Sequence, residues 1–325
     1  MTYATTAEKT LSLRHFPIAF FAVVMGMWGW TLASQAAVGA GVLPNAFAEN
    51  IRWLAVFITV LIFATYGIKA MLYPSACLEE WRSPPKLAFF PAASISLLLI
   101  GTGFLQDAPA FAEIIWLIGA AMQGILALAV ISSWISHRSF EVGQLSPAWF
   151  IPAVGNVVVP LGGAHLGYIE LSWLFLSGGL IFWLVLLTLV INRLMFHDPL
   201  PGKLLPTLLI LIAPPAVAFS AYTGLTGEVD AFARILLNSA FVFGLLVLIQ
   251  LPKFRALPFA LTWWALSFPV AALVGASFTF GGLLELPIYT NIAALILGAL
   301  SLIMVALLVK TFLALAQGRF FRPEG

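Results

Sequence analysis

The sequence predicts an all-α integral membrane protein in which ten transmembrane helices form five helical hairpins. The chain is 62% hydrophobic and 9% charged, whereas soluble domains carry roughly 25% charged residues. Long apolar runs such as 181–191 and 293–309 lack the alternation of barrel strands. Five prolines head alternate apolar runs at intervals of roughly 55 to 75 residues, the length of two spans and their loops. They are Pro17, Pro91, Pro152, Pro215 and Pro269.

Hydropathy predicts the ten spans at about 17–39, 52–72, 87–105, 110–134, 147–164, 168–191, 205–224, 229–251, 258–280 and 288–312. The fifth span is interrupted by Pro160 and by Gly162-Gly163. We expect residues 1–325 to form one transmembrane domain, with cytoplasmic tails at 1–15 and 315–325. No cleavable signal peptide is expected, because the first apolar run is too long.

The charge distribution predicts the orientation. With the N-terminus in the cytoplasm, 13 of the 15 Lys and Arg residues fall on the cytoplasmic side, and only Arg52 and Arg234 fall on the far side. Basic residues in short loops favour the cytoplasm. We therefore expect a multi-pass protein of the inner (plasma) membrane with both termini in the cytoplasm. The net charge of +2 reflects topology and does not indicate nucleic-acid binding.

The odd and even spans differ in side-chain size. The odd spans are rich in small residues, as in 213–224 and 267–277, whereas the even spans carry bulky aliphatic runs such as 302–309. Small residues allow close approach of backbones, and bulky aliphatic surfaces suit lipid. This pattern predicts an inner ring of five odd helices around a central pore, with five even helices outside. Prolines inside the ring would break the helices and free backbone groups.

Several functions are disfavoured by what the spans lack. Near the middle of each predicted span there is no Asp, Glu, Lys, Arg or His, which argues against a proton relay or a sodium site. Grouped metal ligands, a nucleophile with its base, and a phosphate-binding loop are missing from the sequence. The single cysteine, Cys77, excludes an intrachain disulfide. We expect no metal, no cofactor and no enzymatic activity.

Five short motifs, in order and at matching intervals, resemble one known family. They are Ala112-Glu-Ile-Ile-Trp-Leu-Ile-Gly119, Phe150-Ile-Pro-Ala-Val154, Gly227-Glu-Val-Asp-Ala-Phe-Ala-Arg-Ile-Leu236, Trp264-Ala-Leu-Ser-Phe268 and Gly318-Arg-Phe-Phe321. The chain resembles, over nearly its whole length, the tellurite-resistance and C4-dicarboxylate transporter family. That family includes the bacterial TehA-type proteins and, more distantly, the slow anion channel of plant guard cells.

The resemblance implies ten helices in five hairpins, a homotrimer with one pore in each subunit, and a phenylalanine plug in the ninth helix. Phe268 occupies the position of that plug. Glycines of the first helix often face the plug in the family. Here Ala19 and Ala22 stand where glycine is expected, and Gly26 remains.

Besides Phe268, the candidates for the pore lining are Ala22, Gly26, the five repeated prolines and four polar residues. The polar candidates are Ser94, Asn156, Ser220 and Ser267, for which backbone capping or hydrogen bonding between helices is the alternative role. Arg234 is a candidate for the outer mouth. It follows Asp230 by four residues, so the spacing also predicts an ion pair along the helix.

Three functions remain open from the sequence. The first is a gated channel or facilitative transporter for small anions in the lipid bilayer. The second is a coupled exporter, such as a proton-linked dicarboxylate or sulfite carrier or an oxyanion-resistance protein. The third is a membrane scaffold, which has no use for a pore. The absence of a titratable group within the spans favours the first over the second.

Overall fold

The computed structural model describes residues 12–136 and 141–322. Within these ranges the chain is helical and contains no β-strand, so the all-helical prediction is confirmed. Residues 1–11 of the predicted N-terminal tail, with Lys9, lie outside the described ranges, as do Arg138 and residues 323–325.

Twelve α-helices make up most of the described chain. In chain order they are α1 Phe21–Gly39, α2 Asn45–Leu72, α3 Pro74–Arg82, α4 Pro84–Leu87, α5 Pro91–Gly103, α6 Pro109–Ser136, α7 Phe150–Gly163, α8 Ile169–Phe196, α9 Ala213–Thr226, α10 Ala231–Gln250, α11 Ser267–Leu283 and α12 Pro287–Ala316. The short helices α3 and α4 connect α2 to α5. Cys77 lies in α3.

Nine helical segments of the described chain are long and apolar enough to cross a membrane. A tenth apolar segment, Pro147–Gly163, is shorter and corresponds to the interrupted fifth span. The membrane class is therefore confirmed, whereas the count of ten spans stays a prediction.

The two sets of helices differ in exposure. The most apolar windows of the spans that contain α1, α5, α9 and α11 are between 67% and 83% buried. Those of α2, α6, α8, α10 and α12 are between 22% and 39% buried. Their exposed side chains include Phe57, Leu128, Ile249 and Leu295, as expected for surfaces that face lipid.

Helix contacts follow the hairpin pattern. Each exposed helix packs on the inner helix that precedes it, in the pairs α1–α2, α5–α6, α7–α8, α9–α10 and α11–α12. The inner helices contact one another in the order α1, α5, α7, α9, α11 and back to α1. These contacts support the predicted ring, because a closed order of neighbours leaves a common axis between the five helices.

Each inner span is broken before its α-helix begins. The α-helical parts of the inner spans are only 13 to 19 residues long, or about 20 to 28 Å, less than the roughly 30 Å of a bilayer core. Four of them continue a 3-10 segment, at Ile18–Phe20, Pro147–Trp149, Gly202–Ile212 and Leu261–Leu266. The predicted spans 205–224 and 258–280 are thus not uniform α-helices.

The repeated prolines lie near these breaks but at different distances from the first residue of the α-helix. Pro152, Pro215 and Pro269 are the third residues of their helices, Pro91 is the first residue of α5, and Pro17 precedes α1 by four residues. In the first turn an N–H has no partner within the helix, so proline is tolerated there. The prolines therefore start these helices and do not kink their interiors.

Candidate ion pathway and gate

Phe268 lies at the start of α11, where the 3-10 segment Leu261–Leu266 gives way to the α-helix. Its side chain is 6% exposed and packs on the backbone of Gly29 in α1. A methyl group added to Gly29 would lie 3.1 Å from Phe268 Cδ2 and 3.2 Å from Ala271 Cβ. Glycine at position 29 therefore lets the ring approach α1 closely.

The expected contact between Gly26 and Phe268 is replaced by a different one. A methyl group on Gly26 would overlap the side chain of Ser267 and would lie 3.0 Å from the Trp264 ring. The glycine against Phe268 is Gly29, about one turn further along α1.

Two cavities meet at the Phe268 ring. The first, which we call the inner cavity, has a volume of about 40 Å³ and is lined by residues near the start of the inner helices. Its lining includes Ala22, Ile151, Ala213 and Pro269. The cavity has room for only a few water molecules, and it lies toward the basic face of the molecule, where the inner helices begin.

The second cavity, which we call the central cavity, has a volume of about 460 Å³. It is lined by Gly29, Leu99, Pro160, Ser220 and Gly275 together with other residues of the same five inner helices. Phe268 lines both cavities and is the one residue that they share.

A third space opens from the central cavity toward the face opposite the basic one. This mouth chamber has a volume of about 570 Å³ and contains the charged residues Glu49, Arg52 and Asp107. It shares five lining residues with the central cavity, so the two spaces are adjacent. The shared residues are Ala36, Thr102, Leu161, His165 and Thr279.

Only some of the predicted lining residues line these two cavities. Ala22 and Pro269 line the inner cavity, Ser220 lines the central cavity, and Phe268 lines both. The other candidates are absent from both linings: Pro17, Gly26, Pro91, Ser94, Pro152, Asn156, Pro215 and Ser267.

Two of the polar candidates belong to a buried network between helices. The Ser94 hydroxyl donates to Gln123 Oε1 at 2.7 Å, and Gln123 Nε2 donates to Asn156 Oδ1 at 3.3 Å and to the carbonyl of Pro152 at 3.1 Å. Gln123 lies on the outer helix α6. The network joins α5, α6 and α7, which is the structural alternative considered for these side chains.

The ion pair predicted between Asp230 and Arg234 is wrong. Asp230 caps α10 by accepting from the backbone N–H of Ala233 at 2.8 Å, and it accepts from the Tyr222 hydroxyl at 2.6 Å. These two donors hold the pKa of Asp230 below its ordinary value. The guanidinium of Arg234 instead lies 5.6 Å from the centroid of the Phe280 ring.

The other far-side arginine, Arg52, is the one that reaches a cavity. It forms an ion pair with Asp107, and its Cζ lies 5.2 Å from the centroid of the Phe104 ring. Sequence reasoning missed Arg52, His165 and Gly29. The charge asymmetry had separated Arg52 and Arg234 from all other basic residues, but it carried no information on which of them faces a cavity.

Comparison with known proteins gives the family. The profile of the voltage-dependent anion channel family (SLAC1) matches residues 15–312. The chain belongs to this family. The resemblance noted from the motifs is confirmed, since the relatives of this chain include both a TehA homolog and plant anion channels.

Three relatives show the range of the family. The S-type anion channel SLAH2 of Arabidopsis thaliana is 27% identical over 92% of this chain and 59% of its own length. The tellurite resistance protein TehA homolog of Haemophilus influenzae is 26% identical over 94% of this chain and 92% of its own length. The uncharacterized transporter MJ0762 of Methanocaldococcus jannaschii is 23% identical over 96% of this chain and 98% of its own length. The chain thus spans about half to three fifths of the first plant channels it matches.

Proposed function

We propose that the chain is a passive channel for small anions and that Phe268 closes it in this conformation. The observation that carries the proposal is that Phe268 alone lines both the inner and the central cavity. An aromatic ring across a narrow apolar passage excludes water, and an ion does not cross a dry constriction. Movement of one ring would then join the mouth chamber, the central cavity and the inner cavity.

The preference for anions comes from backbone dipoles in this proposal. The five inner helices run in the same direction, and their N-termini lie near the inner cavity. Each helix contributes about half a positive charge at its N-terminus. No carboxylate of the described chain lines the inner or the central cavity, so this partial positive charge is not opposed there. Weak attraction of this kind lets an anion leave as readily as it binds.

The relatives support an anion as the substrate. Several of the plant relatives are named S-type anion channels, and the name of the bacterial relative links it to resistance to an oxyanion. We propose small inorganic anions or C4-dicarboxylates as substrates of this chain. The subunits would assemble as a homotrimer in the inner membrane, with both termini in the cytoplasm.

A coupled exporter is the second candidate, because the TehA homolog matches over nearly its whole length. A coupled carrier that uses protons needs a group that binds them within its path. In the described chain, the two cavities that meet at Phe268 have one titratable side chain in their lining, His165, at the far end of the central cavity. This position at the end of the path favours the passive channel.

Flux in liposomes separates the two candidates. Purified protein is reconstituted, and the uptake of chloride, nitrate, sulfite and malate is compared with and without a pH gradient. The passive channel predicts that each permeant anion moves only down its electrochemical gradient. Accumulation of an anion against that gradient, driven by the pH gradient alone, would reject the passive channel in favour of the exporter.

A further inference from the structure

The mouth chamber holds a guanidinium and an imidazole that the proposed gate does not use. Arg52 lines the chamber wall, and His165 lies where the chamber joins the central cavity. An anion that reaches the Phe268 ring from this face passes both side chains.

Arg52 keeps a free donor although it is nearly buried. Its side chain is 10% exposed. Nη1 donates to Asp107 Oδ2, while Nε has no hydrogen-bond partner among the described residues. A buried donor without an acceptor is unfavourable. Nε is screened from the chamber by its surroundings, so an anion in the chamber is attracted by the positive charge of the guanidinium, which lines the wall. The ring of Phe104 on one side and Asp107 on another fix the guanidinium in place.

The hydrogen bond of His165 defines what the ring presents to the chamber. Nδ1 lies 3.1 Å from the carbonyl oxygen of Leu161. A carbonyl only accepts, so we assign the hydrogen to Nδ1. In the neutral ring Nε2 then carries a lone pair, which repels an anion. In the protonated ring Nε2 carries an N–H and the ring a positive charge, both of which attract one.

The remaining ionisable groups near this face have their own partners or lie at the surface. Asp107 is paired with Arg52. Glu49 Oε1 accepts from the neutral amide of Asn45 at 2.8 Å, which leaves the charge of Glu49 in the chamber lining. Beside the turn between α7 and α8, Glu113 accepts from the Tyr168 hydroxyl at 2.6 Å. Asp230 accepts from Ala233 and Tyr222, while Glu170 and Glu228 are exposed outside the chamber lining. Protonation of His165 is therefore the step that adds a positive charge at the junction.

We propose that Arg52 and His165 form a binding site for small anions in the mouth chamber, and that a proton on His165 strengthens it. Acidity on this face would then raise the occupancy of the chamber and the rate at which anions reach the gate. The proposal rests on the proposed function, since it concerns the same pathway. The proton stays at the mouth and is not transported, so anion flux remains passive.

Binding of nitrate, followed by NMR, tests the site without requiring conduction. The histidine rings are labelled with ¹⁵N in the full-length protein, and nitrate is titrated at about pH 5.5 and about pH 8. We expect nitrate to shift the His165 signals and to bind about three- to tenfold more tightly at the acid pH. His197 shares a separate pocket with Arg193 at the opposite end of the molecule, so a shift of the His197 signals without one of His165 would count against the chamber site.

Substitutions assign the effect to the two residues. Arg52→Gln should abolish the nitrate response of His165, whereas Arg52→Lys, which keeps the charge, should retain part of it. In His165→Gln the flux through a Phe268→Ala channel should lose its dependence on pH at this face. Equal nitrate affinity at the two pH values, or no shift of the His165 signals, would overturn the site. Nitrate binding without conduction in Phe268→Ala would instead reject the gate and leave the site standing.

Discussion

Replacement of Phe268 by alanine tests the proposed gate, because Phe268 lines both the inner and the central cavity. The space left by the ring would connect a cavity of about 460 Å³ with one of about 40 Å³. Water could then fill the constriction. Stripping an ion of its hydration without a partner costs several kcal/mol. We expect the barrier to fall by about 1.4 to 4 kcal/mol, which corresponds to a rise in anion conductance of about ten- to a thousandfold.

The loss of stability should be small for so large a side chain. Truncation of a buried phenylalanine in a soluble core costs about 3–5 kcal/mol. The Phe268 ring packs on Gly29 but faces open space on two sides, so about 1–3 kcal/mol is expected. Phe268→Leu should have a partial effect on both quantities.

Phe219→Ala is the matched control. Phe219 is fully buried in α9, its ring centroid lies 6.0 Å from that of Phe280, and it lines neither cavity. Its truncation should cost about 3–5 kcal/mol without increasing flux. Trp264→Ala should enlarge the inner cavity, which Trp264 also lines, and break its hydrogen bond to Thr311. It should not open the passage, because Trp264 does not line the central cavity. The assay is anion conductance per folded protein in planar bilayers. A normally expressed Phe268→Ala protein with the conductance of wild type would show that the gate is elsewhere.

Three further predictions test the packing and the topology. Gly29→Ala should destabilise the wild-type protein by about 1–3 kcal/mol, because the methyl group would press on the Phe268 ring and on Ala271. In a Phe268→Ala background the part of this loss that comes from the ring should vanish in thermal unfolding, while the contact with Ala271 remains. An undiminished loss would show that the contact does not carry it. Lys69→Met should lower the free energy of unfolding by about 3–5 kcal/mol, because it removes a 2.7 Å ion pair and leaves the Glu80 carboxylate buried. Glu80→Leu in the same chain should restore much of the stability, and no restoration would contradict the pairing. Reporter fusions at Gly325 and in the 225–227 loop should report opposite sides of the membrane, and the same side would overturn the hairpin topology.

The sequence predicted the class and the division into inner and outer helices because both depend on side-chain size and polarity. Small residues in α9 and α11 and bulky ones in α12 follow the burial of these helices. The proline repeat marked where the inner helices begin. It did not predict that Gly202–Ile212 forms a 3-10 helix, because proline in a first turn is compatible with either geometry.

The rotation of each inner helix about its own axis could not be predicted. An inner helix is buried on nearly all sides, so hydropathy does not distinguish the cavity side from the packing side. Ser94 and Asn156 were therefore assigned to the passage, although Gln123 of an outer helix holds both. Gly29 was missed for the same reason. Its role depends on which residue of α1 meets α11, which only packing determines.

The central claim is that anions cross passively through a passage that the Phe268 ring closes, and the reversal potential of the Phe268→Ala current tests it most directly. The protein is placed in a planar bilayer with unequal nitrate concentrations and equal pH on the two sides. We expect the current to reverse at the equilibrium potential of nitrate, and a subsequent pH gradient should leave that potential unchanged. A reversal potential that follows the cation or the pH gradient would contradict the account.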